Sequence, residues 1–469
     1  MPSLFDRRRG FKPKNPRSAR ISQAQKTEPT SNIFSARIEK LSHDGRGVTH
    51  HDNGKVVFVE YALPGEVVKA RITQSHDRFS EAVIKTVEHA SEERQTPPCP
   101  YFGECGGCQL QHLSYQKQVK FKQQQVEELI HKNLKDIELP WQQPVAHERY
   151  QYGYRRRIRL AIAPRERSAG FRAHQSKAII KIEQCNVAEK PISDLLKPLQ
   201  SFLSDYPSIK YLGHIELLLD ETNGDRVVAL VRVTKPLTEA QHDAWLKFQQ
   251  QHNLRVIIQD NPVDKPERFS ELNDDNGQLP VFGYRVANDT LYYGPNEFIQ
   301  INRHINARML ETVTNWLALE GHERILELFA GFGNFSAQLG RASHSVLAVE
   351  GAKAQVERGT ANMKALGINN VQFQEADLSE LSTAQRLLGE QFDVLVLDPP
   401  RAGAEEVCKQ KIAADKILYV SCSPVSLARD LSLLLQQNFT IEKISILDMF
   451  AQTSHAETVV LLKKSGNKP

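Results

Sequence analysis

No stretch of this chain approaches the roughly 20 consecutive apolar residues that a membrane-spanning helix requires. The longest apolar runs, such as Ile417-Leu418-Tyr419-Val420, are strand-sized. The first residues lack the apolar core of a secretory leader. A cytoplasmic protein is expected, and nothing calls for a membrane or an obligate protein partner. No Gly-Lys-Ser/Thr phosphate loop occurs, which argues against a nucleoside triphosphate as ligand. No internal repeat is evident. Cysteine is scarce, at six in 469 residues. A cytosolic chain of this size has no need of disulfide staples, so the clustering of those few cysteines points to metal or catalysis.

Charge is nearly balanced at +4, but it is unevenly placed. Residues 1–30 carry eight basic and two acidic side chains, a tail of +6 that leaves −2 on the rest. Rich in proline and poor in apolar residues, this tail cannot build a core and is expected to be a disordered basic arm suited to nucleic-acid phosphates. Residues 31–90 read as short strands punctuated by Gly45, Gly47, Asn53-Gly54 and Leu63-Pro64-Gly65, the pattern of an OB-like barrel. Residues 91–290 read as a mixed, mostly β region. Within it a helix is predicted from near Ser114 to about Leu134, and a long polar loop over 260–278. The run Tyr154-Arg155-Arg156-Arg157 offers either RNA stacking and phosphate pairing or a basic edge strand, with little to choose between them. Residues 291–469 alternate strands and helices, beginning with a helix over 299–319, as a doubly wound α/β sheet does.

The chemistry concentrates at the predicted strand ends of that last region. Leu328-Phe329-Ala330-Gly331-Phe332-Gly333-Asn334 places a Gly-x-Gly after a strand without completing the dinucleotide fingerprint. Glu350 ends the next strand, where an acid accepts ribose hydroxyls, and Asp377 follows the third, placed to meet an adenine amino group. Two acids and no phosphate loop describe S-adenosylmethionine. Asp398-Pro399-Pro400-Arg401 holds a carboxylate in a rigid turn. Cys422 follows the next strand, with Ser423 as N-cap and Pro424 at the first helical position, where the helix dipole favours a nucleophilic thiolate. Taken alone, a buried structural cysteine is the commoner fate. Glu457 opens the last strand, as a general base or simply a surface acid. Cys99, Cys105 and Cys108 form a compact glycine-rich cluster, with Cys185 as the one further cysteine before the last region. Spacing alone leaves tetrahedral zinc and a [4Fe–4S] cluster about level.

Together these segments resemble the RNA uracil-C5-methyltransferase family, within it the bacterial branch acting on 23S rRNA. The likeness is carried by Gly45-Arg46-Gly47-Val48, Leu63-Pro64-Gly65-Glu66, Tyr154-Arg155-Arg156-Arg157, Phe298-Ile299-Gln300-Ile301-Asn302, Glu327 to Asn334, Asp398 to Gly403 and Ser421-Cys422-Ser423-Pro424. It implies a TRAM barrel, a central domain with a [4Fe–4S] cluster on Cys99, Cys105, Cys108 and Cys185, and a Rossmann-like methyltransferase domain. It also implies Cys422 as nucleophile, Glu457 as base, and S-adenosylmethionine contacts at Gln300, Phe329, Asn334, Glu350, Asp377 and Asp398. Arg401 stands where RNA cytosine-C5 methyltransferases carry a second cysteine, which favours uracil. Barrel and cluster cysteines together distinguish the chain from relatives acting on uracil 54 of tRNA; a non-catalytic RNA-binding or assembly protein is the alternative of another class. Departures from the family pattern are Asn186, Ser423 and Ala451-Gln452, where proline, asparagine and Pro-His are common.

Overall fold

A computed structural model describes residues 33–135, 137–222, 224–260, 268–272 and 279–465. The expected basic arm lies outside them, as does most of the expected loop over 260–278. The first sheet is built from β1 (Ile33–Arg37), β2 (Lys40–Leu41), β3 (Gly47–His50), β4 (Val56–Glu60), β5 (Val67–Ser75) and β6 (Phe79–His89), in the order β1-β5-β6-β4-β3-β2. Alternation in β4 sends Val57 and Val59 inward, where they pack with Ile38, Val68, Ala70 and Ala82. Strand β3 escaped the sequence reading because it is four residues long and begins at a glycine.

Helix α1 (Tyr115–Asn133) follows the cysteine-rich loop. Its Val126 and Ile130 join the core of the C-terminal sheet. Lys122, a charged residue in this helix, is fully buried: its ammonium donates to Asp448 Oδ1 at 2.6 Å and to the Phe450 carbonyl at 2.9 Å. The central sheet comprises β7 (Arg157–Ala163), β8 (Ser168–Arg172) and β9 (Ile179–Lys181), then, after α2 (Lys190–Asp205), β10 (Leu212–Asp220) and β11 (Arg226–Val233), and, after α3 (Glu239–His252), β12 (Arg255–Asp260) and β13 (Arg268–Glu271). Strand β13 corrects the prediction of a continuous loop: it pairs antiparallel with β12, and Glu271 reaches the Arg255 guanidinium at 2.9 Å.

A hairpin, β14 (Phe282–Val286) and β15 (Asp289–Tyr293), leads to α4 (Arg303–Leu317). The helix starts four residues later than its periodicity predicts, because Asn302 caps it by accepting from the Ile305 amide at 3.1 Å. Residues 298–301 therefore form a non-helical strap. The remaining elements are β16 (Arg324–Leu328), α5 (Ser336–Ala342), β17 (Ser345–Glu350), α6 (Lys353–Ala365), β18 (Val371–Glu375), α7 (Leu381–Leu388), β19 (Val394–Leu397), α8 (Glu405–Cys408), β20 (Lys416–Ser421), α9 (Pro424–Leu435), β21 (Phe439–Leu447) and β22 (Glu457–Lys464). The sheet order is β18-β17-β16-β19-β20-β22-β21, parallel except where β22 runs antiparallel to β20 and β21. The chain reverses its direction of travel between β16 and β19, which opens a crevice at their carboxyl ends. Among the described residues no helix is long and apolar enough to cross a membrane.

Candidate active site

That crevice is a cavity of about 550 Å³. Its floor is the turn after β16, where Phe329 (φ 64°), Gly331 (φ 59°) and Gly333 (φ 103°) adopt left-handed backbone. For phenylalanine this costs on the order of 1–2 kcal/mol and persists only because the surroundings hold it. A Cβ at Gly333 would lie 3.2 Å from Met363 and 3.3 Å from Phe373, so the turn also needs glycine for space. The Gly331 amide donates to Glu350 Oε2 at 3.1 Å, which fastens the turn to the end of β17. Asp398 comes from the end of β19, Cys422 from the end of β20 and Glu457 from the start of the antiparallel β22. Gln300, Phe329, Asn334, Glu350, Asp398, Cys422 and Glu457 all line this one cavity.

Asp377 does not. It is exposed, and its carboxylate accepts from the amide and hydroxyl of Ser379 at 2.9 and 2.6 Å. Its side chain closes a turn beyond β18.

The electrostatics of the crevice differ from the sequence expectation. Burial pushes the Asp398 carboxyl up to about 7. Burial, then the neighbouring Asp398, pushes Glu457 up to about 8. Cys422 is also raised, first by burial and then by Glu457 and Asp398, with Arg401 working in the opposite direction. Ser423 caps α9 as predicted, accepting from the Ser426 amide at 3.4 Å. Around the thiol, burial and the two acids outweigh Arg401, so the net shift is upward. Two buried polar atoms of the lining, Glu457 Oε2 and Gln300 Oε1, have no partner among the described residues. Such atoms fit a cavity meant to hold a polar ligand.

Three supporting side chains were not anticipated. Glu327 is buried below the glycine turn and pushed up to about 8 by burial, while its Oε2 accepts from the Ser336 hydroxyl at 2.6 Å. Asn306 on α4 exchanges two 3.0 Å hydrogen bonds with Asn334 and donates to the Tyr284 hydroxyl at 3.1 Å. Arg156 is buried. It donates to both oxygens of Glu221 at 2.9 Å and to the Gln300 carbonyl at 3.0 Å, and its guanidinium lies 4.0 Å from the Tyr284 ring centre. Arg157 is tied likewise to Glu216 at 2.6 Å. Of the two readings of the arginine run, RNA contact is thus corrected at these two positions, where the guanidiniums hold the strap and hairpin of the crevice.

The four cysteines of the other cluster line a second cavity, of about 870 Å³, between the loop 99–108 and the sheet end at Cys185. Burial raises Cys105, Cys108 (to about 12) and Cys185; the other thiols add to each shift, and Arg155 opposes it. Among the described residues no group of three or more His, Cys, Asp or Glu side chains is gathered closely enough to hold a metal ion. The four thiols line this space without gathering at one point. Asn186, a departure from the family pattern, accepts from the Gly153 amide through its carbonyl at 2.8 Å, a bond independent of its side chain.

The loop between β21 and β22 locks the two cavities together. Asp448 accepts from Lys122 and from the Tyr115 hydroxyl at 2.8 Å, and the Ala451 carbonyl accepts from the Tyr154 hydroxyl at 2.9 Å. Gln452 (φ 67°) accepts through its backbone carbonyl from the Gln109 and Leu110 amides at 3.0 Å, and its side chain bonds Gln118 and Gln151. At this departure from the family pattern, the side chain is a buried tie to the cysteine loop.

Comparisons with known proteins agree with this architecture. A family model for tRNA (uracil-5-)-methyltransferases matches residues 114–465, and a TRAM-domain model matches residues 32–85. The 23S rRNA (uracil(1939)-C(5))-methyltransferase RlmD of Shewanella piezotolerans is 36% identical over 448 residues, covering 94% of this chain and 98% of its own. RlmD of Pseudomonas syringae pv. tomato is 35% identical over 436 residues, covering 91% and 93%. The crystal structure of Pyrococcus abyssi tRNA (uracil-54, C5)-methyltransferase in complex with S-adenosyl-L-homocysteine shares the fold, with a TM-score of 0.71 at 23% identity over 92% of this chain and 100% of that one. With a family model covering most of its length and relatives of this identity along nearly all of it, the chain belongs to the tRNA (uracil-5-)-methyltransferase family and carries a TRAM domain ahead of the matched region.

Proposed function

We propose that this protein methylates C5 of a uracil in 23S rRNA, at the uracil 1939 site named in its relatives, through a covalent adduct on Cys422. The observation that carries the proposal is the convergence of Cys422, Glu457 and Asp398 on one cavity beside the left-handed glycine turn. S-adenosylmethionine, held along Gln300, Phe329, Asn334, Glu350 and Asp398, would supply the methyl group and bring a positive sulfonium. Positive charge there would draw Cys422 and Glu457 toward their charged forms, opposing the effect of burial.

Carbon 5 of uracil is a poor nucleophile. The Cys422 thiolate adds to C6, and the electron pair of the C5–C6 bond moves into an enolate that makes C5 nucleophilic. After methyl transfer to C5, Glu457 takes the proton from C5, the double bond re-forms, and the C6–S bond breaks to release Cys422. The target base must leave its stack to reach this depth. We further propose that Cys99, Cys105, Cys108 and Cys185 hold a [4Fe–4S] cluster. A cluster bonds its four thiolates farther apart than one ion does, which suits thiols ringing a cavity; the Gly107 amide already donates to Cys105 Sγ at 3.4 Å. Iron and sulfide analysis of anaerobically purified protein tests this, and four equivalents of each are expected.

The substrate is tested by tritium release from C5-tritiated uridine in unmodified 23S rRNA and, separately, unmodified tRNA. Release from 23S rRNA alone is the expected result. Release from tRNA alone would keep the chemistry and move the substrate. Release from neither would leave an RNA-binding protein.

A further inference from the structure

Several buried or half-buried arginines of this molecule are committed to acids: Arg94 to Glu66, Arg156 to Glu221, Arg157 to Glu216, and Arg255 to Asp220 and Glu271. Arg149 and Arg308 are different. Both are exposed, and no described carboxylate lies within 4.0 Å of either. They bracket one ring, with guanidinium carbons 6.0 and 5.8 Å from the centre of Tyr150. Tyr150 is in turn stacked on His304, ring centres 4.0 Å apart and planes 6° apart, and His147 leans on it at 5.2 Å.

This group is built in, and it sits beside the crevice. Tyr150 ends a short turn whose His147 amide donates to the Tyr115 hydroxyl at 3.1 Å, and that hydroxyl donates to Asp448 in the loop leading to Glu457. His304 and Arg308 are four residues apart on α4 and so share a face. Helix α4 continues the strap whose Phe298, Ile299 and Gln300 line the catalytic cavity, and Phe298 is 64% exposed. Ordinary surface packing accounts for Tyr150 against His304. Arg149 is next to Tyr150 in the chain, but Arg308 comes from a different element and brings a second exposed guanidinium to the same ring. Burial lowers the His304 pKa, and Arg303, Arg156, Arg149 and Arg308 add to it. Converging like charge with stacked aromatics is what a single-stranded nucleic acid neutralises and extends.

We propose that Arg149, Tyr150, His304 and Arg308 form a subsite for a single-stranded RNA segment flanking the target uracil, with phosphates on the two guanidiniums and an unstacked base on the aromatic pair. The inference rests on the RNA-methylating function proposed above. It is tested with a labelled single-stranded fragment of 23S rRNA spanning the target uridine, by fluorescence anisotropy over a range of salt. In the full-length protein, Arg149→Ala/Arg308→Ala should weaken binding about ten-fold or more at 0.1 M salt and lower the steepness of the log–log salt dependence by about 1.4, two lost phosphate contacts at about 0.7 each. Tyr150→Ala should weaken binding about five-fold or more, whereas Tyr150→Phe, which keeps the stack, should stay near wild type. A fully duplexed fragment should be insensitive to Tyr150→Ala, since it offers no open base. Unchanged affinity and salt dependence in the double arginine variant, with an unchanged melting temperature, would overturn the proposal. Tritium release by the wild type is scored separately. Failure of the methylation reading appears there, and failure of the subsite appears only in the binding ratios.

Discussion

The molecule holds cysteine in two cavities that differ in what surrounds the sulfur. In the crevice, Cys422 shares apolar walls with two carboxyls, Asp398 and Glu457, and with Arg401. In the other, four thiols share walls with one another and with Arg155. The crevice is assembled from the ends of five strands, so its geometry is fixed by a sheet. The thiol cavity is walled on one side by the loop 99–111, tied to the loop before β22 through Gln452, and on the other by β7, β8 and the segment 182–187 of the central domain. One lone thiol beside acids is arranged for proton and bond exchange; four thiols whose one neighbouring acid, Glu216, is paired to Arg157 are arranged for holding something. The comparison predicts that the two cavities respond very differently to loss of sulfur.

The largest effect is expected from Cys422→Ala, which should remove turnover by about 10⁴-fold or more, because the nucleophile has no substitute in the crevice. Residual activity within ten-fold of wild type would break the distinction. Next is Glu457→Gln. Turnover should fall by about 10²–10⁴-fold, and the RNA–protein adduct should accumulate because its C5 proton has nowhere to go. A smaller effect concerns pH. The Glu457 carboxyl binds its proton more tightly folded than unfolded, with a folded value of about 8 against an ordinary value of 4.5. Its contribution is therefore favourable at low pH and is lost as pH rises from the ordinary value through about 8. Glu457→Gln should accordingly melt higher than wild type at pH 8, by up to a few kcal/mol of stability, and the gap should close toward pH 5. A constant gap would show that ionisation plays no part. The smallest effect on turnover is expected from Cys108→Ser. It should abolish iron and sulfide content yet leave methyl transfer by folded protein within about ten-fold, since the chemistry needs no electrons.

Legibility from sequence followed the same division. Residues of the crevice sit at strand ends next to glycine, proline or a cap, so local signals located Glu350, Asp398 and Cys422, whereas Gln300, Phe329, Asn334 and the role of Glu457 came from the resemblance; all of them line one cavity. Asp377 had the same local signal, but β18 is the edge strand of the sheet, and a turn claims its carboxylate. What sequence could not show is which charges would pair over long separations. Arg156 with Glu221, Arg157 with Glu216 and Lys122 with Asp448 are 65, 59 and 326 residues apart. Without knowledge of those partners, a run of arginines reads as an RNA contact and a lysine reads as surface. The left-handed Phe329 and the raised Cys422 belong to the same class, because strain and desolvation are set by what packs around a residue.

The central claim is that Cys422 forms the bond to RNA and Glu457 resolves it. The most direct measurement is to incubate Glu457→Gln with S-adenosylmethionine and the 23S rRNA fragment, digest the denatured mixture, and map the RNA-linked peptide by mass spectrometry. The account predicts a methylated uridine attached through Cys422. A cross-link on another residue, or turnover at the wild-type rate with no cross-link, would contradict it.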